Sequence, residues 1–259
     1  MEHYIRICDI DKYYGNASQV TKAIDRLSFS VSRGEFVGVM GASGSGKTTL
    51  LHLLAAIDRV SAGHIFYENT DITELSEDDL AEFRKNNLGF VFQDYNLLDT
   101  LTIEENISLA LTLRGGSRKN IREAVAKLLK LLGIEEIRDK FPYQTSGGQK
   151  QRCACARALA NNPKLLLADE PTGALDSHSS QTLLETFTNL NDTLGTTIFM
   201  VTHDAFSASY CSRILFLRDG KIFHELLRGE KPRRRFLQEI LDVLSFTGGK
   251  AGENSEEMR

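Results

Sequence analysis

"GASGSGKTT", residues 41–49, is the stretch on which the fold of this chain turns. The apolar run "EFVGVM" (35–40) before it reads as a strand. A helix is expected after it, from about Lys47 to Ile57. Residues 41–48 match G-x-x-x-x-G-K-[ST] through Gly41, Gly46, Lys47 and Thr48. Glycines let backbone N–H groups converge on phosphate oxygens. Lys47 offers a cation to the β- and γ-phosphates, and the Thr48 hydroxyl can bind Mg²⁺. The helix adds its positive end. Strand, glycine loop and helix in that order point to a nucleoside triphosphate.

Working outward, the next acids come at the end of "KLLLAD" (164–169), where Asp169 is followed by Glu170. A strand tip there sets Asp169 near the metal, through its water shell. Glu170 is left to take a proton from the attacking water. His203 follows "IFMVT" and Gln93 ends "LGFVFQ" (88–93), two further strand ends. Parallel sheets bind ligands at the carboxyl ends of their strands, so these four polar groups form one constellation. Further strands are expected at "YIRICDI" (4–10), "LSFSV" (27–31), "GHIFYE" (63–68) and "RILFLRDGKI" (213–222), the last with a hairpin turn at Asp219-Gly220. Helical spacing marks 103–113, 121–133 with Gly133 as a stop, and about Ser179 to Leu194. The pattern is an α/β core interrupted by a mostly helical insert at about 94–160.

A second loop, "QTSGGQKQR" (144–152), also suits an anion. Ser146, the N–H groups of Gly147 and Gly148 and a helix N-terminus would complete a cage around the γ-phosphate. The two loops need not come from one molecule. Two copies arranged head to tail could each lend the second loop to the other's nucleotide.

The chain has 259 residues, 41% hydrophobic and 25% charged, enough for a sizeable core. A net charge of −4 supplies no basic field, so nucleic acid is not an expected partner. Cys8, Cys153, Cys155 and Cys211 lack metal-ligand or disulfide spacing, which suits a reducing cytosol. No signal peptide or membrane-spanning run is read, so other chains must bring the protein to any membrane.

These motifs together resemble the ATP-binding subunits of ABC transporters over about residues 1–227. "GASGSGKTT" resembles their Walker A, "LLLADE" their Walker B and "TSGGQ" their signature loop, with Thr145 where Leu is usual. "GALD" (173–176) resembles the D-loop, Gln93 the Q-loop glutamine and His203 the switch histidine. "KYYG" (12–15) resembles the A-loop, whose aromatic stacks on adenine: Tyr14 is favoured, Tyr13 the alternative. The resemblance implies a P-loop NTPase fold of α/β class, an ABC-type nucleotide-binding domain with RecA-like core and helical subdomain. Implied ATP contacts are Tyr14, Gly41, Ala42, Ser43, Gly44, Ser45, Gly46, Lys47, Thr48 and Thr49, with Ser146, Gly147, Gly148 and Gln149 of the second loop and Asp176 of the D-loop. Glu170, His203 and Gln93 are the implied catalytic residues, and Thr48, Gln93 and Asp169 the implied Mg²⁺ group.

"FVFQDYNLLDTLTIEENI" and "ADEPTGALDS" resemble the lipoprotein-release and MacB-like branch. "FQDYNLLDTLT", "ASYCSR" and "RRRFLQEI" resemble most the Bce-type bacitracin-resistance transporters. That group implies a large MacB/FtsX-like permease as partner, two ATPase subunits as an ATP-sandwich dimer, and a place on the cytoplasmic face of the membrane. There the permease often partners a sensor histidine kinase. The alternative is a regulatory ATPase that transmits ATP state to a membrane or cell-wall effector without transport. Some of Tyr95, Leu97 and Leu98 are expected to line a groove for a permease helix, with internal burial as the alternative for these three. Residues 228–259 are expected to form an extension with one short helix and a flexible tail.

Overall fold

The computed structural model describes residues 3–16 and 19–253. Strands β1 (His3–Asn16) and β2 (Gln19–Ser32) form a long antiparallel pair, followed by β3 (Phe36–Met40) and α1 (Lys47–Leu54). Then come β4 (Ala62–Tyr67), β5 (Thr70–Asp71), α2 (Glu77–Asn87) and β6 (Leu88–Val91). The middle of the chain is helical: α3 (Ile103–Leu113), α4 (Arg118–Leu131) and α5 (Gly147–Leu159). After it lie β7 (Leu165–Asp169), α6 (Ser177–Leu194), β8 (Thr197–Val201) and α7 (Ala205–Ala208). The chain closes with β9 (Arg213–Arg218), β10 (Lys221–Leu227) and α8 (Arg233–Glu253).

The central sheet has the order β10-β9-β3-β8-β7-β6, parallel except for β10. β3 and β8 are buried at every position, as sheet strands covered on both faces must be. Successive side chains point to opposite faces. Val37, Val39, Phe199, Val201, Leu215 and Leu217 thus share one core with α1 and the antiparallel sheet β2-β1-β4-β5. Phe36, Met40, Ile198, Met200, Ile214 and Phe216 face the other core, under the middle helices, α6 and α8. The carboxyl ends of β3, β8, β7 and β6 lie side by side, because these strands are parallel neighbours. The residues that follow them therefore share one crevice.

Three expectations need correction. β1 and β2 run to 14 residues each, well beyond 4–10 and 27–31. Register shifts interrupt their pairing around Ile7, Ile10 and Lys12, and Asp9 (φ 47°) and Arg26 (φ 45°) take left-handed conformations. Such bulges break the period-2 pattern that marks a strand. Helix α2 was not anticipated, because only Leu80 is buried in it. Its signals are the Ser76 cap, which accepts the Asp79 N–H, and three acids in the first turn. The C-terminal helix is not short: α8 spans 21 residues and continues through Gly248 and Gly249. Glycine costs a helix only about 1 kcal/mol per residue. Buried Phe236 and Ile240 anchor α8, each contributing about 1.5–3 kcal/mol. The final residues of the expected flexible tail, 254–259, lie outside the described residues. Among the described residues no helix is long and apolar enough to cross a membrane.

Candidate nucleotide site

The loop between β3 and α1 is closed by Gly46, which caps α1 at φ 101°. A Cβ there would meet the Ala23 carbonyl oxygen at 2.5 Å, so only glycine fits. Lys47 Nζ donates to the Gly41 and Ala42 carbonyls at 2.9 and 2.8 Å, which aims the ammonium along the loop. Burial lowers the Lys47 pKa, against the pull of the Glu170 and Asp169 charges. Ser45 Oγ is buried within the loop without a hydrogen-bond partner among the described residues.

Ser43, Gly44, Gly46, Lys47, Thr48 and Thr49 line a cleft of about 430 Å³, together with Tyr14, Gln93, Glu170 and His203. Gly41 and Ala42 form the loop's own frame, and Asp169 stands beside it, hydrogen-bonded to Thr48. Burial and then the Glu170 charge raise the Asp169 pKa, while His52, Thr48 and Lys47 oppose the rise. Glu170 itself has φ 44°, left-handed for a non-glycine residue, and its N–H donates to Val201 O at 2.9 Å. That turn swings its carboxylate to His203: Oε1 lies 2.9 Å from Nδ1, and Oε2 accepts the His203 N–H at 3.3 Å. A carboxylate only accepts, so this pairing sets the imidazole proton on Nδ1.

Tyr14 and Tyr13 are equally exposed, but Tyr14 borders the cleft. Tyr13 instead lies under Lys22 Nζ, 5.1 Å from its ring centre. The Tyr14 hydroxyl donates to Asp58 Oδ2 at 2.7 Å.

None of Ser146, Gly147, Gly148, Gln149 or Asp176 borders this cleft. Ser146 caps α5: its Oγ accepts the Gln149 N–H at 3.3 Å, and Gln149 Oε1 accepts the Ser146 N–H at 2.9 Å. Asp176 caps α6 through Ser179 N–H and Oγ at 2.9 and 2.8 Å, and these bonds lower its pKa. The two caps are neighbours: a Cβ on Gly148 would sit 2.7 Å from Ser179 Oγ. The expected ligands thus fall into two groups within one chain, a cleft at the glycine loop and a separate α5–α6 corner.

The groove expectation changes in detail. A Cβ on Gly147 would meet the Tyr95 hydroxyl at 3.0 Å, so Tyr95 packs on the α5 corner. Leu97 packs against the core, and Leu98 is exposed. The groove beside this loop is lined by Phe90, Phe92, Asn96, Ala110 and Arg157. Sequence reading missed Arg157, whose guanidinium donates to the Tyr95 carbonyl at 2.9 Å and to the Asn96 carbonyl. It missed Thr21, Lys22 and Ala23 of β2 at the cleft. No motif marks them. Cys153 and Cys155 are both buried in α5, and burial pushes the Cys153 thiol up to about 12.

Comparison with known proteins agrees with this geometry. The ABC transporter family profile matches residues 24–173. The bacitracin export ATP-binding protein BceA of Halalkalibacterium halodurans is 50% identical over 244 residues, 93% of this chain and 95% of that protein. The macrolide export ATP-binding/permease protein MacB of Syntrophobacter fumaroxidans is 45% identical over 84% of this chain and 31% of its own length. A dimeric structure of the ATP-binding cassette MJ0796 bound to ADP and Pi superposes with a TM-score of 0.81 at 37% identity, covering 86% of this chain and 98% of that one. The chain belongs to the ABC transporter family, as an ATP-binding subunit with the family's ABC-type nucleotide-binding fold and ATPase activity.

Proposed function

We propose that this subunit powers resistance to bacitracin-like peptide antibiotics, by export or target protection, from the cytoplasmic face of the membrane. Its partner would be a polytopic permease of MacB/FtsX type. The similarity to BceA over nearly the whole of both chains supports the substrate class. A sensor histidine kinase reached through the permease belongs to the same proposal.

The observation that carries the chemistry is the Glu170–His203 contact at the mouth of the phosphate cleft. Lys47 and the loop N–H groups hold the β- and γ-phosphates. Glu170 takes the proton of the attacking water, and His203 holds its carboxylate in place. The donors beside it fit a hard divalent cation. They are oxygen ligands from Thr48, Asp169 and Gln93, next to Glu170, whose charge adds to burial in raising the Asp169 pKa. Mg²⁺ bound there would neutralise charge on the phosphate oxygens. Ser146, Gly147, Gly148 and Gln149 of a second copy would close the cleft, with Asp176 at the joint.

The test is genetic and biochemical. A strain lacking this subunit should become bacitracin-sensitive. Wild type should restore resistance, and Glu170→Gln should not. Co-purification should recover a polytopic membrane protein. Unchanged resistance in the deletion strain would refute the substrate class.

A further inference from the structure

Tyr14 does not stand alone at the cleft. Asp58, four residues past the end of α1, accepts its hydroxyl on Oδ2 at 2.7 Å and Lys12 Nζ on Oδ1 at 2.5 Å. Lys12 is itself only 9% exposed and also donates to the Arg59 carbonyl at 2.7 Å. Its Nζ lies over the Tyr14 ring, 4.9 Å from the centre. The Asp58 Oδ1 further accepts the Arg59 N–H at 2.7 Å. The circuit therefore closes: ring, hydroxyl, carboxylate, ammonium, ring.

We propose that Lys12 and Asp58 are positioning residues for the base of the nucleotide, holding the Tyr14 ring as a stacking platform referenced to the phosphate-binding helix. This rests on the reading of the cleft as an ATP site.

Three features support it. An exposed tyrosine ring on a strand is free to turn about its χ angles, and a platform that turns loses stacking. Here both the hydroxyl and one face of the ring are held, so the opposite face is left for a purine. The anchor is also well chosen. Asp58 follows α1, whose first residues Lys47 and Thr48 serve the phosphates, and Thr49 of α1 also hydrogen-bonds the Tyr14 phenol. Base and phosphates are thus gauged from α1 and the turn that follows it. Finally, the carboxylate is committed. Burial works to raise its pKa, yet the bonds from Lys12, Tyr14 and the Arg59 N–H outweigh it and leave the value lowered. Tyr13 is not among the residues that line the cleft, and its ring lies under Lys22 rather than Lys12.

The test uses the full chain and two probes, Mg-ATP and inorganic Mg-tripolyphosphate, which lacks the base. Lys12→Met and Asp58→Asn should each weaken ATP binding and raise its KM about 3–10-fold, with kcat held within about two-fold. Tripolyphosphate affinity should not move. Lys12→Arg, which keeps a cation and a donor, should recover most of the loss. Tyr14→Ala is the control for the site itself. If Tyr14→Ala leaves ATP binding intact, the base does not stack there and the platform reading fails. If Tyr14→Ala weakens ATP while Lys12→Met and Asp58→Asn do not, the positioning role alone is overturned. Equal losses of ATP and tripolyphosphate in the Lys12 and Asp58 variants would mean general disruption of the loop and also refute it.

Discussion

The Glu170 carboxylate and His203 meet twice, ring nitrogen to oxygen at 2.9 Å and backbone N–H to oxygen at 3.3 Å. The strained backbone of Glu170, at φ 44°, makes this meeting possible. Strain of this kind costs about 1–3 kcal/mol and is kept where it serves a site. Glu170→Gln keeps the shape of the side chain and removes the proton acceptor. ATP binding should survive, while turnover should fall about 10²–10⁴-fold. The variant should also hold an ATP-bound dimer, visible by size-exclusion chromatography. Wild-type turnover would remove Glu170 from the role.

Asp169 illustrates the opposite pressure, function against stability. Its raised pKa means the folded state binds the proton more tightly than the unfolded chain does. Stability from this group is present at low pH and lost as pH rises through the folded value. At neutral pH the ionised Asp169 is therefore a burden on the nucleotide-free protein. Asp169→Asn should raise stability at pH 7 by about 0.5–2 kcal/mol and abolish Mg-dependent turnover. The gain should shrink as pH falls through the raised folded value toward the ordinary carboxylate range, and be gone below that range. Urea titration at several pH values reads it.

Arg157 ties α5 to the loop after Gln93, where Tyr95 (φ 61°) and Asn96 (φ 49°) are both left-handed. Arg157→Met removes both donors and leaves two carbonyls unpaired. Stability should fall about 1–3 kcal/mol, read by urea denaturation. Lys47-dependent ATP binding should persist, because the phosphate loop is untouched. Arg157→Lys keeps the charge without the fork and should fall between the two.

Tyr95 and Leu98 now part company. Leu98 is 47% exposed, while Tyr95 packs on the signature corner at Gly147. Leu98→Ser should leave isolated ATPase activity intact and weaken permease co-purification, an apolar anchor being worth about 1–3 kcal/mol. Tyr95→Ser should lower ATPase activity even without the permease. Equal effects of the two on the isolated enzyme would overturn this division.

What was legible in the sequence was local. The phosphate loop, the acids after "LLLA" and the Ser146 cap each lie within a few residues, where spacing dictates geometry. The carboxyl-end constellation followed from apolar runs alone. What stayed hidden was long-range or broken in period. Asp58 is 46 residues from Lys12 and 44 from Tyr14 in sequence, and it meets them only when β1 lies beside the end of α1. Arg157 and Tyr95 are separated by 62 residues. The bulges at Asp9 and Arg26 disguised two long strands, and α2 buries too little to show a stripe.

The central claim is that one chain holds two half-sites and that two copies complete each other. Ser146→Arg and Lys47→Ala proteins should each be inactive alone, the first still binding ATP. Mixed, they form heterodimers with one intact phosphate loop facing one intact signature loop. ATP turnover in the mixture should rise to at most about a quarter of wild type, half the dimers having one of two sites. A Ser146→Arg protein that hydrolyses ATP at the wild-type rate, or a mixture as silent as its components, would contradict it.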